Sequence, residues 1–225
     1  MKIGIVNDLA MATAVLTRAV ALDPRHKVIW TARDGAEAAV KCAADLPDLV
    51  LMDLIMPGVD GVEATRRIMR DSPCPILVVT ASMGANSWRV FEAMGLGALD
   101  AVDTPVAGRG DLAVSSAALL AKIDTIGRLV RDKDVPVRPS RAGAVFHASM
   151  AEPLVVIGSS AGGPKAVRTI LEALPADFGG AVVLVQHVDQ QFAAGMVDWL
   201  NQNSHLPVRL VVPGDRPRRG EVLMA

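Results

Sequence analysis

The chain has little cysteine, no excess of charge and no long apolar run. Only two cysteines occur in 225 residues, Cys42 and Cys74, and neither has metal-ligand spacing or a matching histidine cluster. That leaves no basis for a disulfide framework or a cysteine metal site, and two buried, reduced thiols point to the cytoplasm. Lys and Arg number 23 against 24 Asp and Glu, a formal net charge of -1, with no long run of basic residues. Such a chain carries no electrostatic footprint for nucleic acid or an acidic membrane surface. Nor does residue 154 onward contain a helix-turn-helix or a basic recognition helix. No stretch has the length of a bilayer span, and MKIGIVNDLA turns polar too soon for a signal-peptide core. The expectation is a cytoplasmic protein with no membrane insertion and no nucleic-acid partner.

What is present is apolar sequence in short, regularly spaced runs. Hydrophobic residues make up 51% of the chain, enough to build one large core or two small ones. KIGIV (2–6), KVIWTA (27–32), DLVLMD (48–53), PILVVT (75–80) and ALDAVD (98–103) read as buried parallel strands. Segments with helical spacing lie between them, among them 36–44 and 62–70, and strand alternating with helix predicts a doubly wound α/β sheet. A fifth helix is predicted from Asp111 to about Arg131, with basic residues in its last turns to suit the dipole. The first domain is therefore placed at 1–131. Residues 132–153 mix Pro, Gly, Ser and charge and read as a linker. The pattern restarts over 154–225, with strands at 154–158, 181–187 and 207–212 and helices at 164–174 and about 191–203. This second α/β unit ends at GEVLMA without a terminal helix and is expected to be incomplete.

Open α/β sheets gather functional groups at the carboxyl ends of their strands. In the first unit these are Asn7 and Asp8, Asp53, Thr80, and Asp103 with Thr104. Two carboxylates, Asp8 and Asp53, converging on one crevice suit a hard Mg²⁺ ion that keeps several waters. The alternative is that strand-end acids merely cap helices or solvate loops.

The string DLVLMDLIMPGVDGVEATRRI, with Asp53, Met56, Pro57, Asp60 and Gly61, resembles the phosphoacceptor motif of response-regulator receiver domains, and VND resembles their acidic pocket. The resemblance covers residues 1 to about 130. It implies a five-stranded parallel sheet of order 2-1-3-4-5 and Asp53 as the phosphorylated aspartate. It further implies Asp8 and the Ile55 carbonyl as Mg²⁺ ligands beside Asp53, and Thr80 as the hydroxyl that senses the phosphoryl oxygen. Receivers usually carry DD after strand one and KP after strand five; here Asn7-Asp8 and Thr104-Pro105 stand instead. Asn7 can hydrogen-bond a metal-bound water, so metal affinity is expected to fall rather than vanish. The missing lysine removes a point charge from the phosphoryl group, so an unusual phosphorylation lifetime or coupling is expected. Ala101 stands where many receivers place a switching aromatic, which argues against an aromatic switch.

In the second unit VVIGSSAGGPK (155–165) offers two chemistries. As a phosphate loop its glycine spacing is close, but Pro164 removes a donor where the cradle needs one, and no Ser or Thr follows Lys165. As a nucleophile turn, Gly158-Ser159-Ser160-Ala161-Gly162 fits G-x-S-x-G, which lifts Ser160 between strand and helix. A helix amino terminus behind it favours a developing oxyanion. His187, at the end of VVLVQH, emerges on the same sheet edge as a candidate base. Taken singly, the serine could be a helix cap and the histidine a structural one.

VVIGSSAGGPKAV followed by VVLVQHVDQQF resembles the catalytic domain of chemotaxis-type protein-glutamate methylesterases, the CheB family, which join it to an amino-terminal receiver. Within the family, MKIGIVND, SPCPILVVT and GALDAVDTP are closest to the Wsp-type branch of surface-sensing pathways. The resemblance implies hydrolysis of glutamate γ-methyl esters, and in some members deamidation of glutamines, on methyl-accepting chemoreceptors, with a histidine kinase of the CheA type as phosphodonor. Ser160 would be the nucleophile, His187 the base, and a backbone amide near Ala161 part of the oxyanion hole, with no organic cofactor. The family's third triad residue lies in a late GMGxDG segment, and none of Asp177, Asp189, Asp198 and Asp215 sits in such a motif. Loss of the orienting acid costs on the order of 10⁴ in turnover in a serine hydrolase. The chain is therefore expected to be a truncated, weak or inactive methylesterase; the alternative is a phosphorylation-switched binding module.

Overall fold

A computed structural model describes residues 1–80, 87–105, 111–131 and 153–225; the linker expected at 132–153 lies, Pro153 apart, outside the described residues. The first unit runs β1 (Lys2–Val6), α1 (Ala10–Val20), β2 (Lys27–Ala32), α2 (Gly35–Ala44), β3 (Leu49–Met52), α3 (Gly61–Asp71), β4 (Ile76–Thr80), α4 (Ser87–Leu96), β5 (Asp100–Asp103) and α5 (Leu112–Arg131). Its strands are all parallel in the order β2-β1-β3-β4-β5, the expected receiver-type topology.

Alternation along each strand divides the core between the two faces of this sheet. Ile3, Ile5, Leu49, Leu51, Leu77 and Val79 pack on one side against α1 and α5. Val50, Met52, Ile76 and Val78 pack on the other against α2, α3 and α4. Each such side chain, buried on folding, contributes about 1.5–3 kcal/mol, so both faces are covered at the expense of almost no polar burial. Asp34 and Asp60 start α2 and α3, their carboxylates accepting from the amides of Glu37 (2.8 Å) and Glu63 (2.9 Å). Gly61 is required sterically: a Cβ there would lie 2.0 Å from the Asp53 carbonyl oxygen. That absence of a side chain brings the start of α3 against the end of β3.

The second unit runs β6 (Leu154–Ser159), α6 (Gly163–Ala173), β7 (Ala181–Gln186), α7 (Gln190–Asn201), β8 (Val208–Leu210) and β9 (Val222–Met224). Its sheet is parallel with order β6-β7-β9-β8. The strand expected over 207–212 is shortened to three residues, because the chain turns at Pro213 and Gly214, with Asp215 N donating to the Val212 carbonyl at 3.0 Å. The segment GEVLMA, given no element in the sequence reading, holds β9, which inserts between β7 and β8 and is fully buried.

One apolar cluster runs through both units. Phe91 of α4 is fully buried; its ring lies 6.4 Å from Phe192, edge to face, and 5.9 Å from Trp199, both on α7. Arg168 of α6 stacks over the Trp199 ring at 5.6 Å. A Cβ on Gly95 would lie 2.9 Å from Arg168 Nη1 and 3.1 Å from Trp199. Glycine thus lets α4 approach the second unit closely. No described helix is long and apolar enough to cross a membrane.

Candidate functional site

In the first unit a cavity of roughly 300 Å³ opens at the carboxyl edge of the sheet, lined by Asn7, Asp8, Asp53, Ile55, Thr80 and Thr104 among others. Of the strand-end residues singled out from sequence, all but Asp103 line this space; Asp103 instead accepts from Gln191 Nε2 at 2.9 Å. Asp53 Oδ1 accepts from the amides of Leu54 (2.7 Å) and Ile55 (3.3 Å), and Oδ2 accepts from Asn7 Nδ2 at 3.1 Å. The Asn7 oxygen accepts from the Leu9 amide at 2.9 Å, so both ends of this side chain are engaged by protein. Thr80 is buried, and its carbonyl accepts from the Thr104 amide at 3.2 Å.

Burial pushes the Asp53 carboxyl above its ordinary range; the amides of Ile55 and Leu54 oppose this, and the neighbouring Asp8 charge adds to it. Among the described residues no lysine or arginine lines the cavity beside the two carboxylates. The donor set fits Mg²⁺, since two hard oxygen ligands of like charge share a partly desolvated pocket with a main-chain carbonyl at Ile55 beside them.

The second site follows from strand register. β6 and β7 are adjacent and parallel with Ser159 opposite Gln186, so the next residues, Ser160 and His187, leave the sheet side by side. The His187 amide donates to the Ser159 carbonyl at 2.8 Å. Both side chains are exposed, and Ser160 Oγ lies 3.3 Å from His187 Nδ1. For Nδ1 to accept the serine proton, the ring must carry its own proton on Nε2. The turn is completed by Gly162 at φ +75°, a left-handed conformation that favours glycine. The Gly162 amide donates to Leu99 of the first unit at 2.7 Å and that of Gly163 to Ser160 at 2.7 Å, whereas the Ala161 amide donates to no carbonyl of the described residues. Pro164 sits buried in the first turn of α6, which is the arrangement that disfavours a phosphate cradle.

This pairing of a receiver-type sheet with a strand-end serine and histidine has counterparts among known proteins. A family model described as CheB methylesterase matches residues 155–225, and one described as response regulator receiver domain matches residues 3–113. The protein-glutamate methylesterase/protein-glutamine glutaminase of group 3 operon of Pseudomonas putida is 56% identical over 225 residues, covering 100% of this chain and 67% of that protein. The chain belongs to the CheB-type protein-glutamate methylesterase family. Protein-glutamate methylesterase/protein-glutamine glutaminase 3 of Pseudomonas aeruginosa is 53% identical over 229 residues, with 100% and 67% covered. This CheB-type chain thus spans about two thirds of the length of the curated relatives it matches. Among solved structures, the response regulator domain of Thermotoga maritima CheB superposes with a TM-score of 0.51 at 29% identity, covering 57% of this chain and 96% of that one. None of these names separates a Wsp-type branch.

Sequence reasoning missed Gln186. It is buried, its Nε2 donates to the carbonyls of Ser160 (3.1 Å) and His187 (3.2 Å), and its Oε1 accepts from Ser159 Oγ. The only trace in the sequence is its place before His187. No carboxylate among the described residues pairs with the His187 ring; Asp189 instead caps α7, and Asp215 pairs with Arg209 at 2.6 Å. Elsewhere, Asp23, His26 and Asp124 bring ligand atoms within 4.8 Å of one another. The Arg25 guanidinium already holds both of those carboxylates, at 2.5 Å and 3.0 Å, so the cluster is an ion-pair network tying the α1–β2 turn to α5.

Proposed function

We propose that this chain carries the receiver and the nucleophile-bearing part of a phosphorylation-regulated protein-glutamate methylesterase. The receiver is assigned to 1–131 and the esterase unit to 154–225, joined by 132–153. The substrates are glutamate γ-methyl esters, and glutamines by the same route, on cytoplasmic helices of methyl-accepting chemoreceptors. One observation carries the reading: Ser160 Oγ stands 3.3 Å from His187 Nδ1 at the mouth of a strand-to-helix turn.

His187 removes the Ser160 proton as Oγ attacks the ester carbonyl. Negative charge collects on the carbonyl oxygen, where the Ala161 amide and the α6 amino terminus stabilise it. The proton held by His187 passes to the departing methoxide, methanol leaves, and an acyl-serine remains. His187 then takes a proton from water, hydroxide adds to the acyl carbon, and the proton returns to Ser160 as glutamate is released. No organic cofactor takes part.

Asp53 is the phosphoacceptor in this reading, supplied by a histidine kinase of the CheA type. Asp8, Asp53 and the Ile55 carbonyl would hold Mg²⁺, which would offset phosphoryl charge, and Thr80, lining the same pocket, would contact the phosphoryl oxygen. With Thr104 in place of the family lysine, the route to the second unit passes through the adjacent residue: Asp103 Oδ2 accepts from Gln191 Nε2 of α7 at 2.9 Å. Gln191 lies four residues after His187, so the first turn of α7 links the end of β5 to the segment that carries the base.

A second reading, a phosphorylation-switched binding module with an inert serine, is favoured by the lack of a carboxylate on His187 among the described residues. Methanol release from methylated receptor decides between them. With no carboxylate orienting His187 among the described residues, the methylesterase reading expects slow release by the chain and none by Ser160→Ala; equal release from both proteins contradicts it.

A further inference from the structure

We propose that Gln186 is a positioning residue that sets the Ser160–His187 pair and aims the Ala161 amide at the reacting carbonyl. The inference rests on the methylesterase reading and adds a residue to it. Gln186 is 6% exposed and ends β7 opposite Ser159. Its side chain lies across two strand ends: Nε2 bonds the carbonyls of Ser160 at 3.1 Å and His187 at 3.2 Å, and Oε1 takes the Ser159 hydroxyl proton. One amide group thus grips the main chain of both the nucleophile and the base.

The consequence follows from peptide geometry. The Ser160 carbonyl and the Ala161 N–H belong to one planar trans peptide, and in a trans peptide the two bonds point in opposite directions; the chain has no cis bonds among its described residues. The Ser160 oxygen is held jointly by Gln186 Nε2 at 3.1 Å and the Gly163 amide at 2.7 Å, which turns the Ala161 N–H to the opposite side of that peptide. This explains why that amide finds no acceptor among the described residues while its neighbours at Gly162 and Gly163 are engaged. Gly163 belongs to the same device: a Cβ there would lie 2.6 Å from Gln186 Oε1 and 2.8 Å from Ser159 Cβ.

No other side chain reproduces this set. Glutamate has the same shape, but ionised it has no donor and sets negative charge against two carbonyl oxygens, and protonated it has one donor for the two. Methionine has similar length and no charge, but neither donor nor strong acceptor.

The test is the rate at which an alkyl fluorophosphonate modifies Ser160, followed by intact mass, in the wild type, Ser160→Ala, Gln186→Glu and Gln186→Met. The phosphonyl oxygen uses the oxyanion donor, and removing one such donor costs about 10²–10³ in rate. Rates are compared at a temperature where circular dichroism shows each variant folded, and Gln186→Met keeps the test open if the glutamate variant does not fold. Wild type is expected to be labelled, Ser160→Ala not, and the folded Gln186 variant at least about fivefold more slowly, with the loss in the maximal rate rather than in reagent affinity. A smaller loss, or one confined to reagent affinity, overturns the positioning role while leaving the esterase reading intact. A wild type that is not labelled at Ser160 overturns the esterase reading and this inference with it.

Discussion

In the first sheet every residue of β3 and β4 is buried, and the pocket at their ends desolvates Asp53. In the second sheet β6, which delivers Ser160, leaves Leu154, Val155 and Val156 at 55%, 39% and 64% exposed, and Val185 of β7 is 49% exposed. Both units place their chemistry at strand ends, but only the first surrounds its sheet with its own helices. The second is covered on one face by α6 and α7, and its core continues into the first unit through α4. The difference implies that the serine site takes part of its order from the receiver that docks on it. Gly162 and Gln191, flanking Ser160 and His187 in sequence, both bond receiver residues.

The largest expected effect on that comparison comes from Phe91→Ala. Truncating a fully buried aromatic costs about 3–5 kcal/mol, and here the ring belongs to both cores. Denaturant unfolding followed separately through each unit should show both losing stability together. Loss confined to the first unit would mean that the second is independently ordered.

Next comes Gly95→Leu, which wedges a side chain between α4 and the Arg168–Trp199 pair. It should weaken docking without touching either site, seen as Ser160 labelling slowed several-fold, about 1 kcal/mol of lost docking. Labelling that is unchanged would show that the interface does not restrain the serine loop.

The smallest effect is electrostatic. The Asp53 pKa is raised in the folded state, so the fold binds this proton more readily than the unfolded chain does. Stability contributed by protonation is therefore greatest at low pH and is lost as pH rises through the elevated folded value. Asp53→Asn removes the buried charge, so the variant should melt higher than wild type at pH 7, and the gap should close as pH falls toward the ordinary carboxylate range. Mg²⁺ should narrow the gap at pH 7 by stabilising wild type alone. A variant less stable than wild type at pH 7 without metal would contradict the burial argument.

Much of this was legible in the sequence because it is local. Buried β runs announce themselves by composition, and Asp34 and Asp60 stand three residues ahead of Glu37 and Glu63 as helix starts do. Asp8, Asp53 and Thr80 follow apolar runs, and parallel topology alone brings such ends together. Ser160 and His187 share the same logic, since adjacent parallel strands with matched register deliver their next residues as neighbours. What depends on distant partners was not legible. The strand β9 has only three residues, VLM, and exists because β7 and β8 leave a gap for it. The sequence reading assigns no helix to 87–96, and nothing there marks Phe91 as an interface ring. Gln186 looks like any polar residue ending a strand until the register sets Ser159 opposite it. Asn7 is legible as a departure from two acids, but its double engagement with Asp53 and Leu9 is a matter of loop geometry.

The central claim is that Ser160 is a working nucleophile under receiver control. The most direct measurement is methanol release from methylated receptor helices, with and without a small-molecule phosphodonor and Mg²⁺, in wild type, Ser160→Ala and Asp53→Asn. The account predicts slow release by wild type that rises with the phosphodonor, slow release by Asp53→Asn that does not rise, and none by Ser160→Ala. Release that persists in Ser160→Ala, or that fails to respond to the phosphodonor in wild type, would contradict it.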